Sequence, residues 1–337
     1  MIVLGIETSC DETSAALVDG ASVLSNIVAT QTVHQEYGGV VPEFASRAHI
    51  RQLLPVIRLA LGKAGRSWSD IQGLAVTHGP GLAGSLLIGL STCKGLALAL
   101  DLPWIGINHL EGHLMAVSAS RAAPEYPHIA LLVSGGHTLL VLAEAPLSYR
   151  IIGRTLDDAA GEAFDKVAKT LGLGYPGGPA IERSASAGRD QAVSFPRALL
   201  KGDDLNFSFS GLKTAVLYHV RSRPPHQVEN EIADISASFQ RAVVDVLVAK
   251  SIRALEKHDI RVLLLAGGVA RNTALRKALA DKCQRSGIDF FVPPAELCTD
   301  NAAMIARAGY ERLIRGQRSN HDLDAAPDLS LDGTENE

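Results

Sequence analysis

Cysteine is scarce in this sequence, and no two cysteines have the short spacing of a CxxC motif. The four cysteines are Cys10, Cys93, Cys283 and Cys298, which stand far apart in a chain of 337 residues. This spacing excludes a disulfide framework and a zinc site built from cysteines. Unpaired cysteines are typical of a reducing compartment, so we expect a cytoplasmic protein.

The sequence also lacks an excess of positive charge. Its 32 basic and 36 acidic side chains leave a net charge of −4. This balance excludes a protein that binds nucleic acid through charge alone. Six acids and one base lie between Arg318 and Glu337, so this segment carries −5 and the rest of the chain carries +1.

Targeting and membrane-spanning signals are missing as well. The first residues, MIVLGIETSCDET, contain no basic region and reach Glu7 too early for a signal peptide. The chain has no uninterrupted apolar run of about 18 residues, the length that a membrane-spanning helix requires. We therefore expect no contact with a membrane.

The predicted elements occur in the same order twice. A strand at Ile2–Ile6 and another at His128–Val133 each begin three strands in hairpin connection, after which helices and strands alternate. This order predicts an α/β protein with duplicated mixed sheets, helices on both faces and a ligand cleft between two lobes. We expect lobes at 1–121 and 128–299, with helix 300–316 joining the first lobe and a disordered acidic tail at 317–337.

Three glycine-rich turns follow apolar strands, in the segments GIETS, SGGHT and AGGVARN. Glycine lets backbone N–H groups approach a phosphate closely. Any one such turn is more often an ordinary tight turn, but three at corresponding places favour phosphate binding. None matches a P-loop or a GxGxxG motif, which excludes the ordinary forms of both sites.

His109 and His113 are spaced to share one face of a predicted helix and could bind a metal together. The alternative is a structural pair on the helix surface or in the core. A zinc peptidase is not favoured, because Glu111 lies about 200° around the helix from His109. A third ligand must come from elsewhere, and Asp300 is a candidate; a helix N-cap is a sufficient explanation for it, and the sequence alone does not pair it with the histidines. Two histidines and one carboxylate suit iron or zinc.

Several other polar residues are candidates for a site. Asp11 and Glu12 follow the first strand. Asp165 lies in a helix predicted from Asp157, its expected N-cap, to Leu171, and it could instead be a surface partner of a lysine one turn further on.

A set of motifs along the chain resembles the TsaD family, the tRNA N6-adenosine threonylcarbamoyltransferases. The resemblance runs from Met1 to about Gly316. It implies the two-lobed actin/sugar-kinase-like (ASKHA) fold, in agreement with the duplication. The motifs are, in order, GIETSCDET, NHLEGH, LVSGGHT, DDAAGEAFDK, YPGGP, FSFSGLKT, AGGVARN and CTDNAAMIA.

The resemblance implies a function and a set of site residues. Members of the family transfer the threonylcarbamoyl group of threonylcarbamoyl-AMP to N6 of adenosine 37 in tRNAs that read codons beginning with A. By resemblance, one divalent ion, iron or zinc, is held by His109, His113 and Asp300, while Asp11 and Glu12 act near the transfer. The residues implied to contact the adenylate are Leu132, Val133, Ser134, Gly135, Gly136, Asp165, Gly178 and Asn272.

The resemblance also implies partners: tRNA, a smaller actin-like paralogue similar to TsaB, and an ATPase similar to TsaE. Two alternatives remain open. One is a metal-dependent glycoprotein endopeptidase, the label that the family once carried. The other is a non-catalytic ATP-binding actin-like module, against which the intact metal motif argues.

Overall fold

The computed structural model describes residues 1–119, 123–200 and 202–333. The chain divides into two compact units. Unit 1 comprises Met1–Ala123 together with 293–337, and unit 2 comprises Pro124–Val292.

The units differ from the expected division in a short segment and in the acidic tail, both of which belong to unit 1. Residues 293–299 are expected in the second lobe but belong to unit 1, because Leu297 packs into the core of that unit. The expected boundary at residue 121 falls outside the described residues, as do residues 334–337 of the expected tail.

The strands and helices alternate in the predicted order. The strands are β1 (Ile2–Glu7), β2 (Glu12–Asp19), β3 (Ser22–Thr30), β4 (Gly73–Gly79), β5 (Trp104–Asn108), β6 (His128–Val133), β7 (Thr138–Ala145), β8 (Ser148–Arg154), β9 (Val262–Ala266) and β10 (Asp289–Phe291). The helices are α1 (His34–Tyr37), α2 (Pro42–Ala64), α3 (Ala83–Leu100), α4 (His109–Met115), α5 (Ala160–Thr170), α6 (Gly177–Ala185), α7 (Ser210–Arg221), α8 (Pro225–His258), α9 (Thr273–Ser286) and α10 (Ala302–Ile314).

The two sheets have the same topology. Their strand orders are β3-β2-β1-β4-β5 in unit 1 and β8-β7-β6-β9-β10 in unit 2. In each sheet the first three strands of the chain pair antiparallel. The fourth strand pairs in parallel with the first, and the fifth pairs in parallel with the fourth. The predicted duplication of mixed sheets is therefore confirmed.

The sheet of unit 1 is covered by helices on both faces because β1 is buried throughout and is apolar or glycine from Ile2 to Ile6. Alternate side chains of a strand point to opposite faces. Leu4 and Ile6 accordingly pack with residues of α2 and α3, whereas Val3 packs with residues of α10. Gly5 permits close approach of α10, since a Cβ at this position would collide with Ala302 and Ala306.

Helix α3 is the one described helix that is long and apolar enough to cross a membrane, with a mean hydropathy of 1.5. A core helix passes the same test, so one such helix is weak evidence. Leu90 and Cys93 of α3 are buried in the core of unit 1, where the helix packs against α2 and β4.

Residues 317–333 of the acidic C-terminal segment are not disordered as expected, and we call them the C-terminal strap. The strap is part of unit 1. The Ser319 backbone N–H donates to the Trp104 carbonyl at 2.9 Å. Leu323 packs against the apolar core. The net charge of the segment does not predict these contacts, because only a few apolar side chains and backbone groups make them.

Helix α5 begins later than expected, at Ala160, and Asp157 does not cap it. The Asp157 carboxylate instead accepts hydrogen bonds from the backbone N–H groups of Phe209 and Ser210, at 2.8 and 3.2 Å. Asp157 therefore stabilises the start of α7, which is distant in sequence.

Candidate metal centre

The two histidines are positioned by the junction between β5 and α4. Asn108 ends the strand, and its side-chain oxygen accepts a hydrogen bond from the Leu110 backbone N–H at 2.9 Å, which caps the helix. His109 is thus the first residue of α4, and His113 follows one turn later on the same face. Both are buried, and their ring centroids lie 4.7 Å apart.

Asp300 faces this pair, and its carboxylate is not needed to cap α10 because the next residue does so. The Asn301 side chain accepts a hydrogen bond from the Met304 backbone N–H at 3.1 Å. The Asp300 carboxylate is therefore not the N-cap. Its Oδ1 lies 3.5 Å from Nε2 of His109 and 3.2 Å from Nε2 of His113.

The three side chains fit a divalent metal ion. One ligand atom from each lies within 4.8 Å of the other two. Nδ1 of His113 has no hydrogen-bond partner among the described residues, and Nε2 faces the Asp300 oxygen at 3.2 Å, although the side chain is fully buried. Poorly paired polar atoms are costly to bury, and a metal ion would satisfy Nε2 together with the carboxylate. Two imidazoles and one carboxylate with open positions are a donor set that iron and zinc accept.

Opposite charges reinforce this arrangement. Burial raises the pKa of Asp300, but His109 and His113 outweigh it and hold that pKa far below its usual range. Burial lowers the pKa of His109, whereas the carboxylates of Asp300 and Glu7 raise it well above the ordinary value. The site therefore favours a carboxylate facing a positive charge, which a bound cation also supplies.

Glu111 takes no part in the cluster. Its side chain is buried and binds the Arg312 guanidinium, with nitrogen–oxygen distances of 2.8 to 3.0 Å. A peptidase of the zinc type needs its glutamate beside the metal-bound water. The pairing with Arg312 is consistent with the helical spacing and argues against the endopeptidase alternative.

Asp11 and Glu12 lie where β2 begins, in the same unit as the metal cluster. Burial raises the pKa of Glu12 well above its ordinary value, and the carboxylates of Asp300 and Asp11 raise it further. Glu12 is thus close enough to Asp300 to interact with it. The preceding Cys10 is a poor nucleophile, because burial and the nearby acids raise the pKa of its thiol.

The residues implied to bind the adenylate belong to unit 2, at the end of β6. Leu132 and Val133 are buried core residues of that strand. The turn that follows, Ser134–Gly136, is more open, and both of its glycines are exposed. Two glycines from other segments contact the end of β6 and this turn. A Cβ at Gly161 would collide with Ser134, and a Cβ at Gly267 would collide with Val133. The start of α5 and the turn after β9 therefore pack directly against the end of β6.

Asp165 joins α5 to the start of α6. Its Oδ1 accepts a hydrogen bond from the Gly177 backbone N–H at 2.7 Å, a contact with another helix that the sequence interpretation did not include. Gly178 follows in the first turn of α6, and nothing lies within 4 Å of the position that a Cβ would occupy there.

Asn272 serves as the N-cap of α9. Its side chain accepts from the Leu275 backbone N–H at 2.9 Å and donates to Gln240 at 2.8 Å. The adjacent Thr273 backbone N–H donates to the Glu182 carboxylate of α6 at 2.7 Å. Hydrogen bonds thus connect α5 to α6 and α6 to the start of α9, the segments that carry Asp165, Gly178 and Asn272. The adenylate-binding role of each residue stays a prediction.

The sequence reasoning missed Glu7, which contacts a residue of the metal cluster. Glu7 is completely buried, and its Oε2 lies 3.0 Å from Nδ1 of His109. Burial raises the pKa of Glu7, but His109 lowers it below its ordinary value. An acid at the end of an otherwise apolar central strand was the available signal, because such a charge needs a partner.

Comparison with known proteins agrees with the fold and the motifs. The family model for TsaD, tRNA N6-adenosine threonylcarbamoyltransferase, matches residues 22–307. A curated relative of that name from Symbiobacterium thermophilum is 53% identical over 332 residues, covering 98% of this chain and 97% of the relative.

Two solved structures share the fold. The HypF protein of T. kodakarensis matches with a TM-score of 0.62 and 12% identity, over 94% of this chain and 48% of that one. The activator of the 2-hydroxyisocaproyl-CoA dehydratase from Clostridium difficile matches with a TM-score of 0.54 and 15% identity, over 94% of this chain and 97% of that one. These likenesses confirm the actin/sugar-kinase-like fold class. The family match and the relative at 53% identity lead to one conclusion: the chain belongs to the TsaD family of tRNA N6-adenosine threonylcarbamoyltransferases.

Proposed function

We propose that this chain transfers the threonylcarbamoyl group of threonylcarbamoyl-AMP to N6 of adenosine 37 in tRNAs that read codons beginning with A. The observation that carries the proposal is that the matched family region, residues 22–307, contains the whole cluster of His109, His113 and Asp300. In this reaction the N6 amine attacks the carbamoyl carbon, the bond to the phosphate breaks, and AMP leaves.

His109, His113 and Asp300 would hold one divalent ion, iron or zinc, and this ion would supply a Lewis acid for an oxygen of the threonylcarbamoyl group. His109 and His113 present their rings from one helix face, and Asp300 adds the negative charge that favours a dication. AMP is a good leaving group, so orientation and charge stabilisation matter more than a strong nucleophile.

Unit 2 binds the adenylate through the turn after β6 and the helix starts that pack near it. The exposed glycines Gly135 and Gly136 let backbone N–H groups approach the phosphate closely. Leu132 and Val133 position this turn from the core. Asp165, Gly178 and Asn272 lie in segments that hydrogen bonds join to the same region.

The N6 amine loses a proton during the attack. Asp11 and Glu12 are the carboxylates that we assign to accept it, because Glu12 begins β2 and Asp11 directly precedes it, in the unit that carries the metal cluster. The base at position 37 is taken as an unstacked anticodon-loop base, the usual form in which proteins read RNA.

A transfer assay with prepared threonylcarbamoyl-AMP tests the proposal. The metal-loaded protein, with its partners, is expected to modify a tRNA that carries adenosine at position 37 and to leave the same tRNA with guanosine there unmodified. Asp300→Asn should lower the rate by more than about 100-fold, since losing a ligand exceeds the cost of losing a residue that orients one. Glu111→Gln, an equally conservative change of a carboxylate outside the cluster, should stay within a few-fold of wild type.

Two results would overturn the proposal. One is equal modification of both tRNAs. The other is metal-dependent cleavage of a glycoprotein that Glu111→Gln abolishes, with no transfer in the same preparations.

We also propose that the chain acts in the cytoplasm with partners, a TsaB-like paralogue and a TsaE-like ATPase. The near-neutral charge of residues outside the acidic tail gives little general attraction for tRNA. The chain alone should therefore make almost no modified tRNA from threonine, bicarbonate and ATP, as measured by mass spectrometry of nucleosides. Sustained turnover without any other protein would contradict this.

A further inference from the structure

Glu7 is a fully buried carboxylate that the proposed transfer chemistry does not use. It ends β1, a strand in which every other residue is apolar or glycine. A buried charge is strongly unfavourable unless donors surround it. Its partners therefore indicate what it does.

Three donors face the two oxygens of Glu7. The Ser9 backbone N–H donates to Oε1 at 2.5 Å, and the Thr77 hydroxyl donates to Oε2 at 2.6 Å. Nδ1 of His109 lies 3.0 Å from the same Oε2. The Ser9 hydroxyl is 3.1 Å from Nδ1 as well, but a hydroxyl can act as either donor or acceptor.

These contacts determine where the proton of His109 resides. An ionised carboxylate only accepts hydrogen bonds, so Nδ1 must carry the proton that it donates to Glu7. When the ring is neutral, as it must be to bind a metal, its lone pair then lies on Nε2. This is the nitrogen that faces Asp300, at 3.5 Å from its Oδ1.

We propose that Glu7 is a positioning residue that holds His109 in the Nδ1–H tautomer and fixes the ring so that Nε2 is presented to the metal. The inference rests on the proposed metal cluster, but not on the identity of the transferred group. Hydrogen bonds from metal-binding histidines to carboxylates have this effect in general, and their loss typically weakens metal binding about 10- to 100-fold.

Replacing Glu7 by glutamine tests the inference because an amide has one NH2 group in place of one of the two carboxylate oxygens. This NH2 group must point either towards Ser9 or towards His109 and Thr77. Towards Ser9 it would face a backbone N–H, which cannot become an acceptor. Towards His109 it faces Nδ1, which can lose its proton and accept, and the Thr77 hydroxyl, which can rotate. Glu7→Gln should therefore favour the Nε2–H tautomer, whose Nε2 has no lone pair for a metal.

The main measurement is the dissociation constant for Zn²⁺, determined by competition with a chelating dye. We expect Glu7→Gln to bind Zn²⁺ about 10- to 100-fold more weakly than wild type. Glu111→Gln is the matched control, since it makes the same change at another buried carboxylate, and it should bind within about three-fold of wild type. Equal affinity of Glu7→Gln and wild type would overturn the inference, whereas a wild type that does not bind Zn²⁺ would overturn the metal cluster itself.

A second measurement does not depend on the folding of any variant. In Zn²⁺-loaded wild type labelled with 15N-histidine, NMR should show a proton on Nδ1 of His109 and the shift of a metal-bound nitrogen at Nε2. Metal coordination through Nδ1 would overturn the inference, because Glu7 could not then accept a proton from that atom.

Discussion

At the scale of single residues, three acids of unit 1 differ in role because they differ in partner. Asp300 faces Nε2 of two histidines, and Glu111 binds an arginine. Glu7 contacts Nδ1 of His109, the ring nitrogen that does not face Asp300. Only the first leaves carboxylate oxygen available to a metal ion. The chemistry of each acid thus depends on the donors that the fold places around it.

The pair of Glu111 and Arg312 gives a prediction about stability. Arg312→Ala should lower the free energy of unfolding by about 3 kcal/mol, since it leaves a buried carboxylate without its partner. Urea denaturation measures this loss. In Arg312→Ala/Glu111→Gln, part of the stability should return, because a neutral amide is less costly to bury than a charge. A single variant as stable as wild type would show that the pair contributes nothing.

At the scale of elements, the junctions next to the metal cluster depend on caps and on the C-terminal strap. Asn108 caps α4 with its oxygen, and its Nδ2 donates to the Ser330 carbonyl of the strap at 3.1 Å. The strap also receives support from β4, where the His78 carbonyl accepts from the Ala326 backbone N–H at 2.8 Å. A segment far along the chain therefore helps to fix the start of the helix that carries both histidines.

The strap gives a second prediction. Leu323→Ala should destabilise the protein by about 1–2 kcal/mol, less than a fully buried leucine would cost because Leu323 is partly exposed. Thermal unfolding would report the loss. Asp322→Ala, at the exposed position beside it, should leave the melting temperature within about one degree. Equal melting temperatures for both variants would contradict a packed strap.

At the scale of the whole molecule, buried neutral histidines make stability depend on pH in both units. Burial lowers the pKa values of His49, His78 and His128. His49 is the most constrained, with Nδ1 2.8 Å from the Thr13 hydroxyl and Nε2 2.8 Å from the Cys10 carbonyl. Protonation of such a ring would disrupt the hydrogen bond that Nδ1 accepts.

A third prediction follows from His49. Its pKa is lower in the folded state than the value of about 6.5 in the unfolded chain, so the unfolded state binds more protons between the two values. Stability should therefore be complete above about pH 6.5 and fall as the pH decreases, by up to about 1.4 kcal/mol per pH unit for one histidine. Urea titrations of wild type and His49→Gln between pH 5 and 8 isolate this residue, because the other histidines are shared. Parallel curves would contradict the prediction.

The sequence by itself determined the order of elements, the duplication and the helical pairing of His109 with His113. These depend on local periodicity and on spacing within a few residues, which a chain carries wherever it folds. Composition was less informative, since the acidic strap packs through only a few of its residues. Asp157 was misassigned because a cap and its helix can be far apart in sequence.

Only the tertiary structure decided which acids join the histidines. Asp300 follows the pair by almost two hundred positions, and the sequence could not choose between a ligand and a helix cap; the choice depended on Asn301 taking the cap. Glu7 reaches His109 because the parallel strands β1, β4 and β5 end at one edge of the sheet. Contacts of this kind are set by the packing of elements against one another, and no local pattern in the chain encodes their distances.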